Sequence, residues 1–236
     1  MFSALEHILR RMQTACERAQ RAPETVQLVM VSKTVPVERL ADMLNNPYQQ
    51  CIFGENKAQE LQAKASYFQV HKRNPSPEWH FIGHLQSNKI KDMLPYTQLL
   101  HSLDRWSLAQ KLDRKLQADN KTLSVLIQVN AAREDSKSGV APEQTLELVR
   151  RVNELESLSI QGLMTIGAHS SDENEVRDSF KRLADLREQA RSLPDLAPQN
   201  QELPHLSMGM SGDFEWAIEE GATLVRVGSA IFGSRQ

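Results

Sequence analysis

Cysteine is scarce. The 236 residues contain only Cys16 and Cys51, too few for a disulfide framework and without the paired Cys/His spacing that zinc requires. No metal is expected, and this usage fits a reduced cytoplasmic setting. Long apolar runs are missing too, so no segment approaches the ~20 residues that cross a bilayer as a helix. The opening Met1-Phe-Ser-Ala-Leu-Glu-His7 carries charge where a signal peptide would carry its apolar stretch. An excess of one charge is absent as well: 28 Lys and Arg stand against 30 Asp and Glu, a formal net of −2. That balance offers no broad footprint for nucleic acid or an acidic membrane. What remains open is a soluble chain, 1–236 as one domain, that takes a small and local ligand.

Periodicity supplies the architecture. Phe2, Leu5, Ile8, Leu9, Met12 and Cys16 recur at helical spacing, which predicts a first helix ending before Arg21. Short β-rich runs then alternate with amphipathic segments. The runs end near Lys33, Asn56, Gly83, Asp104, Asn130, Ile166, Met210 and Ser229, at intervals of 19 to 44 residues. Each interval holds a loop, a helix and the next strand, the crossover that parallel strands need. Val176, Phe180, Leu183, Leu186, Ala190 and Leu193 form one such packing face, and Pro142 stands near the start of another. Eight strand–helix repeats in this length indicate an α/β fold, a single (β/α)8 TIM barrel with an additional N-terminal helix, ahead of a doubly wound open sheet. The segments 71–77 and 193–204 read as surface loops.

In such a barrel the reactive groups sit at the C-terminal strand ends, and phosphate is often held after strands seven and eight. Lys33 closes the run Gln27-Leu-Val-Met-Val-Ser-Lys33, and Thr223-Leu-Val-Arg-Val-Gly-Ser229 closes with Arg226, Gly228 and Ser229. A strand-end lysine ordinarily extends to solvent. In a partly dry site, however, an amine loses solvation of its ammonium form and can attack an aldehyde to give an imine. Glycine amides and serine hydroxyls suit a phosphate, although they serve turns and caps equally well. Ser211 reads as an N-cap for the helix after strand seven, and Asp104 as one for the helix beginning at Arg105. Arg226 has two readings: a structural ion pair, or a donor to a pyridine nitrogen that will not readily yield its proton. Pyridoxal phosphate carries an aldehyde and a phosphate, so it unites the two strand ends. His80 and His84 flank a strand end, not one helical face, and read as hydrogen-bonding groups. Lys137 is a solvated lysine or a mobile second amine, and Lys89 and Lys91 mark a solvated helix face.

The segments Val31-Ser-Lys-Thr34, Phe53-Gly-Glu-Asn56, Trp79-His-Phe-Ile-Gly-His-Leu-Gln-Ser-Asn-Lys89, Glu134-Asp-Ser-Lys-Ser-Gly139, Gly162-Leu-Met-Thr165, Leu206-Ser-Met-Gly-Met-Ser211 and Val225-Arg-Val-Gly-Ser-Ala-Ile-Phe-Gly233 form an ordered set. Through them the chain resembles, nearly end to end, the YggS/PROSC family of pyridoxal phosphate homeostasis proteins. The resemblance implies a barrel like the alanine racemase N-terminal domain with Lys33 as the Schiff-base lysine. It further implies phosphate held by Ser207, Gly228 and Ser229, Arg226 facing the pyridine nitrogen, and Asn56 and Met164 beside the ring. Two departures stand out: Lys57 where the family commonly has an aromatic residue, and Ser229 for a frequent threonine. The function implied is vitamin B6 homeostasis: holding pyridoxal phosphate as a lysine imine and delivering it to apoenzymes, with a weak amino-acid racemase as the alternative. Because the chain ends at Gln236, soon after strand eight, no second domain is expected to supply the opposing acid or base of a racemase. For the same reason a monomer is expected.

Overall fold

The apolar runs form eight parallel strands: β1 (Gln27–Val31), β2 (Ile52–Glu55), β3 (Glu78–Phe81), β4 (Leu99–Leu103), β5 (Leu123–Gln128), β6 (Leu158–Met164), β7 (His205–Ser207) and β8 (Leu224–Val227). They pair in sequence order and close when β8 pairs with β1, Val29 lying against Arg226 and Met30 against Val227. The computed structural model from which this comes describes residues 2–72, 75–134 and 137–233. Arg73 and Asn74 of the 71–77 loop, Asp135 and Ser136 beside Lys137, and the terminus at Gln236 lie outside the described residues.

Every strand ends one to three residues before the expected position. Lys33 and Asn56 therefore belong to the mouth loops, while Gly228 stands at the N-cap of the short helix after β8 and Ser229 is its first residue. Between the strands run α2 (Val37–Met43), α3 (Ala58–His71), α4 (Ile90–Met93), α5 (Trp106–Ala118), α6 (Thr145–Asn153), α7 (Glu173–Arg191) and α8 (Phe214–Glu219), with the short α9 (Ser229–Phe232) after β8. The expected additional helix is α1 (Phe2–Arg18), which buries Leu5, Ile8, Met12, Ala15 and Cys16. It packs on α8 and α9, where Arg11 pairs with Glu215 at 2.7 Å and Arg18 with Glu219 at 2.6 Å.

Side-chain alternation divides the core. Leu28, Met30, Phe53, Trp79, Phe81, Leu100, Val125, Ile127, Val225 and Val227 belong to the large cluster between barrel and helices. Val29, Leu99, Leu126, Met164 and Leu224 form a small separate cluster inside the barrel. Two residues further along three of those strands, one pleat nearer the mouth, stand His101, Gln128 and Arg226, all buried. On β4, β5 and β8 the inward side chains therefore change from apolar to polar toward the mouth.

Two expected caps are corrected. Helix α8 begins at Phe214 with Asp213, not Ser211, at its N-cap position; the Asp213 carboxylate instead accepts from the Met210 N–H at 2.5 Å. Helix α5 begins at Trp106, and Asp104 pairs with Arg105 at 2.5 Å and His84 at 3.3 Å. The 193–204 segment is not wholly a surface loop: Leu196, Asn200 and Leu203 are buried, and the Asn200 side-chain oxygen accepts the Ile160 N–H at 2.8 Å. That bond satisfies a β6 amide at the sheet, where an unmet donor would be costly.

Candidate functional site

Because β1 and β8 are neighbours, the turns that follow them share one side of the mouth. A cleft of about 710 Å³ lies there, and its lining includes Lys33, Thr34, Arg39, Gly228 and Ser229. Among the described residues, two cations and no carboxylate line this cleft, a charge balance suited to an anion. Gly228 permits the approach of the two strands, since a Cβ on it would stand 2.9 Å from the Val31 carbonyl oxygen. On the loop after β7, Gly209 has φ +89° and a Cβ would fall 2.5 Å from that of Ala217, so only glycine makes this turn without strain. The turn brings the half-buried Ser211 hydroxyl within 3.4 Å of the exposed Ser229 hydroxyl.

Lys33 is half-buried and has no hydrogen bond or ion pair among the described residues, while the residues on either side of it are held firmly. Buried Lys64 of α3 donates to the Ser32 carbonyl, to Glu55 Oε1 and to Glu60 Oε1, each at 2.7 Å. The Ser32 hydroxyl donates to Glu55 Oε1 at 2.6 Å, and the Thr34 N–H donates to Glu60 Oε1 at 2.5 Å. Thr34 is thereby kept at φ +63°, unusual for a β-branched residue. Burial pushes the Glu55 carboxyl up against the opposing pull of Lys64. Its second oxygen, Oε2, is buried without a partner.

Arg226 lies deeper, on β8. Its guanidinium donates to Ser207 Oγ at 2.6 Å and to the Thr165 carbonyl at 2.8 Å. Burial pushes it down to about 10, opposed by Asp213, so it stays protonated at neutral pH. Ser207 Oγ is also 2.9 Å from His101 Nδ1, His101 Nε2 is 3.0 Å from His80 Nδ1, and His80 Nε2 is 3.0 Å from Glu78 Oε1. Burial, followed by His80 and Arg226, holds His101 well below the ordinary imidazole range. The hydrogen bond from His80 holds Glu78 below the usual carboxylate value.

Of the residues expected at the site, the structure brings Lys33, Gly228 and Ser229 into one cleft and places Arg226 and Met164 inside the barrel. Met164 closes β6 as a member of the inner apolar cluster. Asn56 follows β2 at the mouth, half-buried, with its backbone pressed against Gly83. Ser207 is fully buried, its hydroxyl engaged by Arg226 and His101; the loop hydroxyl near Ser229 is that of Ser211. His80 is hydrogen-bonded within the barrel, as its position at a strand end suggests. Lys57 is exposed. Lys137 donates to Glu134 at 2.7 Å and to the Gly167 carbonyl at 2.6 Å, on the opposite side of the mouth. Sequence reasoning missed Lys64, Glu55, His101 and Glu78. A lone histidine two residues after Leu99 in the apolar run Leu99-Leu-His-Ser-Leu103 was the available signal, because alternation turns it inward.

A family model described as alanine racemase, N-terminal domain, matches residues 3–236. The pyridoxal phosphate homeostasis protein of Aquifex aeolicus is 41% identical over 98% of this chain and 97% of its own length. The chain belongs to the pyridoxal phosphate homeostasis protein family. Its barrel resembles that of PipY from Synechococcus elongatus with pyridoxal phosphate bound, at a TM-score of 0.80 and 31% identity over 96% of this chain and 100% of PipY. A protein from Bifidobacterium adolescentis matches at 0.91 with 35% identity, over 98% of this chain and 94% of the other. No described helix is long and apolar enough to cross a membrane.

Proposed function

We propose that this chain, as a single barrel domain, binds pyridoxal phosphate and serves vitamin B6 homeostasis as a holder of that cofactor. The observation that carries this reading is the shared cleft at the ends of β1 and β8, where the Lys33 amine and the Gly228–Ser229 turn stand together. The cofactor would supply an aldehyde for an amine and a dianionic phosphate for hydrogen-bond donors. The residues present fit both demands. Lys33 is the lysine that lines this cleft, it has no partner among the described residues, and its flanks are clamped by Lys64, Glu55 and Glu60. Ser211 and Ser229 hydroxyls, with the amides of the turn after Gly228, are the phosphate donors; Ser207 serves Arg226 instead. Arg226 offers the donors left over from Ser207 and Thr165 to a ring nitrogen and retains its proton. Asn56, at the mouth, and Met164, inside the barrel, would lie beside the ring.

The same proposal has the protein working as a cytoplasmic monomer that passes the cofactor to apoenzymes. Borohydride reduction of loaded protein followed by peptide mapping tests the anchor: a pyridoxyl adduct is expected on Lys33 and lost in Lys33→Ala with the circular dichroism retained. An adduct mapped to another lysine in the wild type would overturn it. Incubation with an apoenzyme and a trap for free pyridoxal phosphate tests delivery, which requires transfer that survives the trap.

A further inference from the structure

The hydrogen bonds that begin at Arg226 run through the barrel to the opposite end. Ser207 is the last residue of β7, His101 lies mid-way along β4, His80 is the third residue of β3, and Glu78 is the first. Parallel strands start at the floor of the barrel, so Glu78 belongs to the face opposite Lys33. Its side chain is 45% exposed, whereas that of His80 is 3% exposed; His101 and Ser207 are wholly buried.

With both rings neutral, the carboxylate end sets the direction of every bond. Guanidinium has no acceptor, so Ser207 Oγ accepts from Arg226. Carboxylate has no donor, so His80 Nε2 carries the hydrogen shared with Glu78. His80 Nδ1 then accepts, which requires a hydrogen on His101 Nε2. His101 Nδ1 in turn accepts the Ser207 hydroxyl. The reverse order would set the lone pair of His80 Nε2 against the lone pairs of Glu78. This order is that of two neutral rings; a doubly protonated His80 would instead turn a His101 Nδ1–H toward the second lone pair of Ser207, the outcome that the test below reads as failure.

We propose that Glu78, His80, His101 and Ser207 form a one-way hydrogen-bonded relay that locks both imidazoles as Nε2–H tautomers and positions the Arg226 guanidinium from the far end of the barrel. The tautomer lock stands on the geometry of two neutral rings; its service to bound pyridoxal phosphate rests on the function proposed above. Two further ionisable groups face the relay. His205 of β7 lies near His80 and Glu78, with its proton affinity lowered by burial and then by His80. Asp213, before α8, acts on Arg226. Neither interrupts the line of donors. The four are positioning residues, because none of them would touch the reacting carbon.

The test uses the full chain with ¹⁵N-labelled histidine, first without cofactor, as wild type, Glu78→Gln and Glu78→Leu. Long-range ¹H–¹⁵N spectra at mildly alkaline pH are expected to show Nε2–H at His80 and His101 in the wild type. Glu78→Gln keeps an acceptor oxygen and is expected to keep both tautomers, while Glu78→Leu lets them mix. After loading, Glu78→Leu should still form the Lys33 adduct but release the cofactor faster, on the order of tenfold, with a displaced absorption band that Glu78→Gln restores. If Glu78→Leu does not fold, Ser207→Ala severs Arg226 from His101 and carries the same forecast for release. An Nδ1–H tautomer at either ring in the wild type overturns the relay, as do wild-type tautomers and release in Glu78→Leu. Wild-type protein with both Nε2–H tautomers but no Lys33 adduct would sink the cofactor reading while upholding the lock.

Discussion

Around Lys33, buried charge is closed within a short stretch of chain: Ser32, Glu55, Glu60 and Lys64 meet through contacts of 2.6 to 2.7 Å, and full charges face one another directly. Around Arg226 the groups come from β3, β4, β7 and β8, and two imidazoles and a hydroxyl stand between the cation and Glu78. A local ion cluster anchors the two sides of a loop and leaves the residue between them unpaired. A distributed chain of dipoles fixes one side chain while keeping charge separated. The first suits an amine that must react and the second a guanidinium that must not move.

The comparison breaks most visibly at Lys64. Lys64→Met strands a fully buried Glu55 carboxylate, and unfolding by denaturant should register a loss of about 3–5 kcal/mol. Adding Glu55→Gln should recover much of it; a loss within the range of an exposed pair, about 1 kcal/mol or less, would show that the cluster is not buried in solution. His101→Leu removes one acceptor and one donor from the relay, leaving Ser207 and His80 each short of a partner. Each unmet group costs about 1–3 kcal/mol, and no loss by the same measurement would dissolve the contrast.

Acidification sharpens it. His101 is depressed from a reference of 6.5, so below that value the unfolded chain takes up a proton that the folded chain refuses. Stability is therefore fully present above about pH 6.5 and falls toward the folded value, by about 1.4 kcal/mol per pH unit for this one group. Denaturation of His101→Leu across the same interval should show a shallower slope than the wild type, and equal slopes would contradict it. The smallest effect is at Thr34. Thr34→Gly relieves the positive φ but frees the unfolded chain, so stability should change by no more than about 1 kcal/mol, while formation of the Lys33 adduct slows as the loop loosens. Stopped-flow absorbance measures that rate, and an unchanged rate would deny the clamp its role.

Much of the barrel could be read from the runs themselves. The spacing of eight apolar segments requires parallel crossovers, and the alternation Leu224-Val-Arg-Val227 already sets Arg226 apart from its neighbours. Lys33, Gly228 and Ser229 were legible for the same reason: each directly follows a recognisable strand. Strand ends were misplaced because the extent of regular pairing depends on the neighbouring strands, which no single segment contains. Ser207 and Ser211 show the limit most clearly. They are four residues apart at and after the end of β7, and only the turn at Gly209 sends the one toward Arg226 and the other toward Ser229.

The sequence by itself determined the strand–helix order, the N-terminal helix and the placing of an amine and a glycine–serine turn at strand ends, because periodicity and turn chemistry are local. Tertiary structure alone decided which lysine is left unpaired and which is consumed: Lys33 and Lys64 are the same residue type, told apart only by the two carboxylates the folded chain brings to Lys64. It also decided that Glu78 and Arg226, 148 positions apart in the chain, end one line of hydrogen bonds. Barrel closure sets those distances, and buried polar groups must find partners wherever closure puts them.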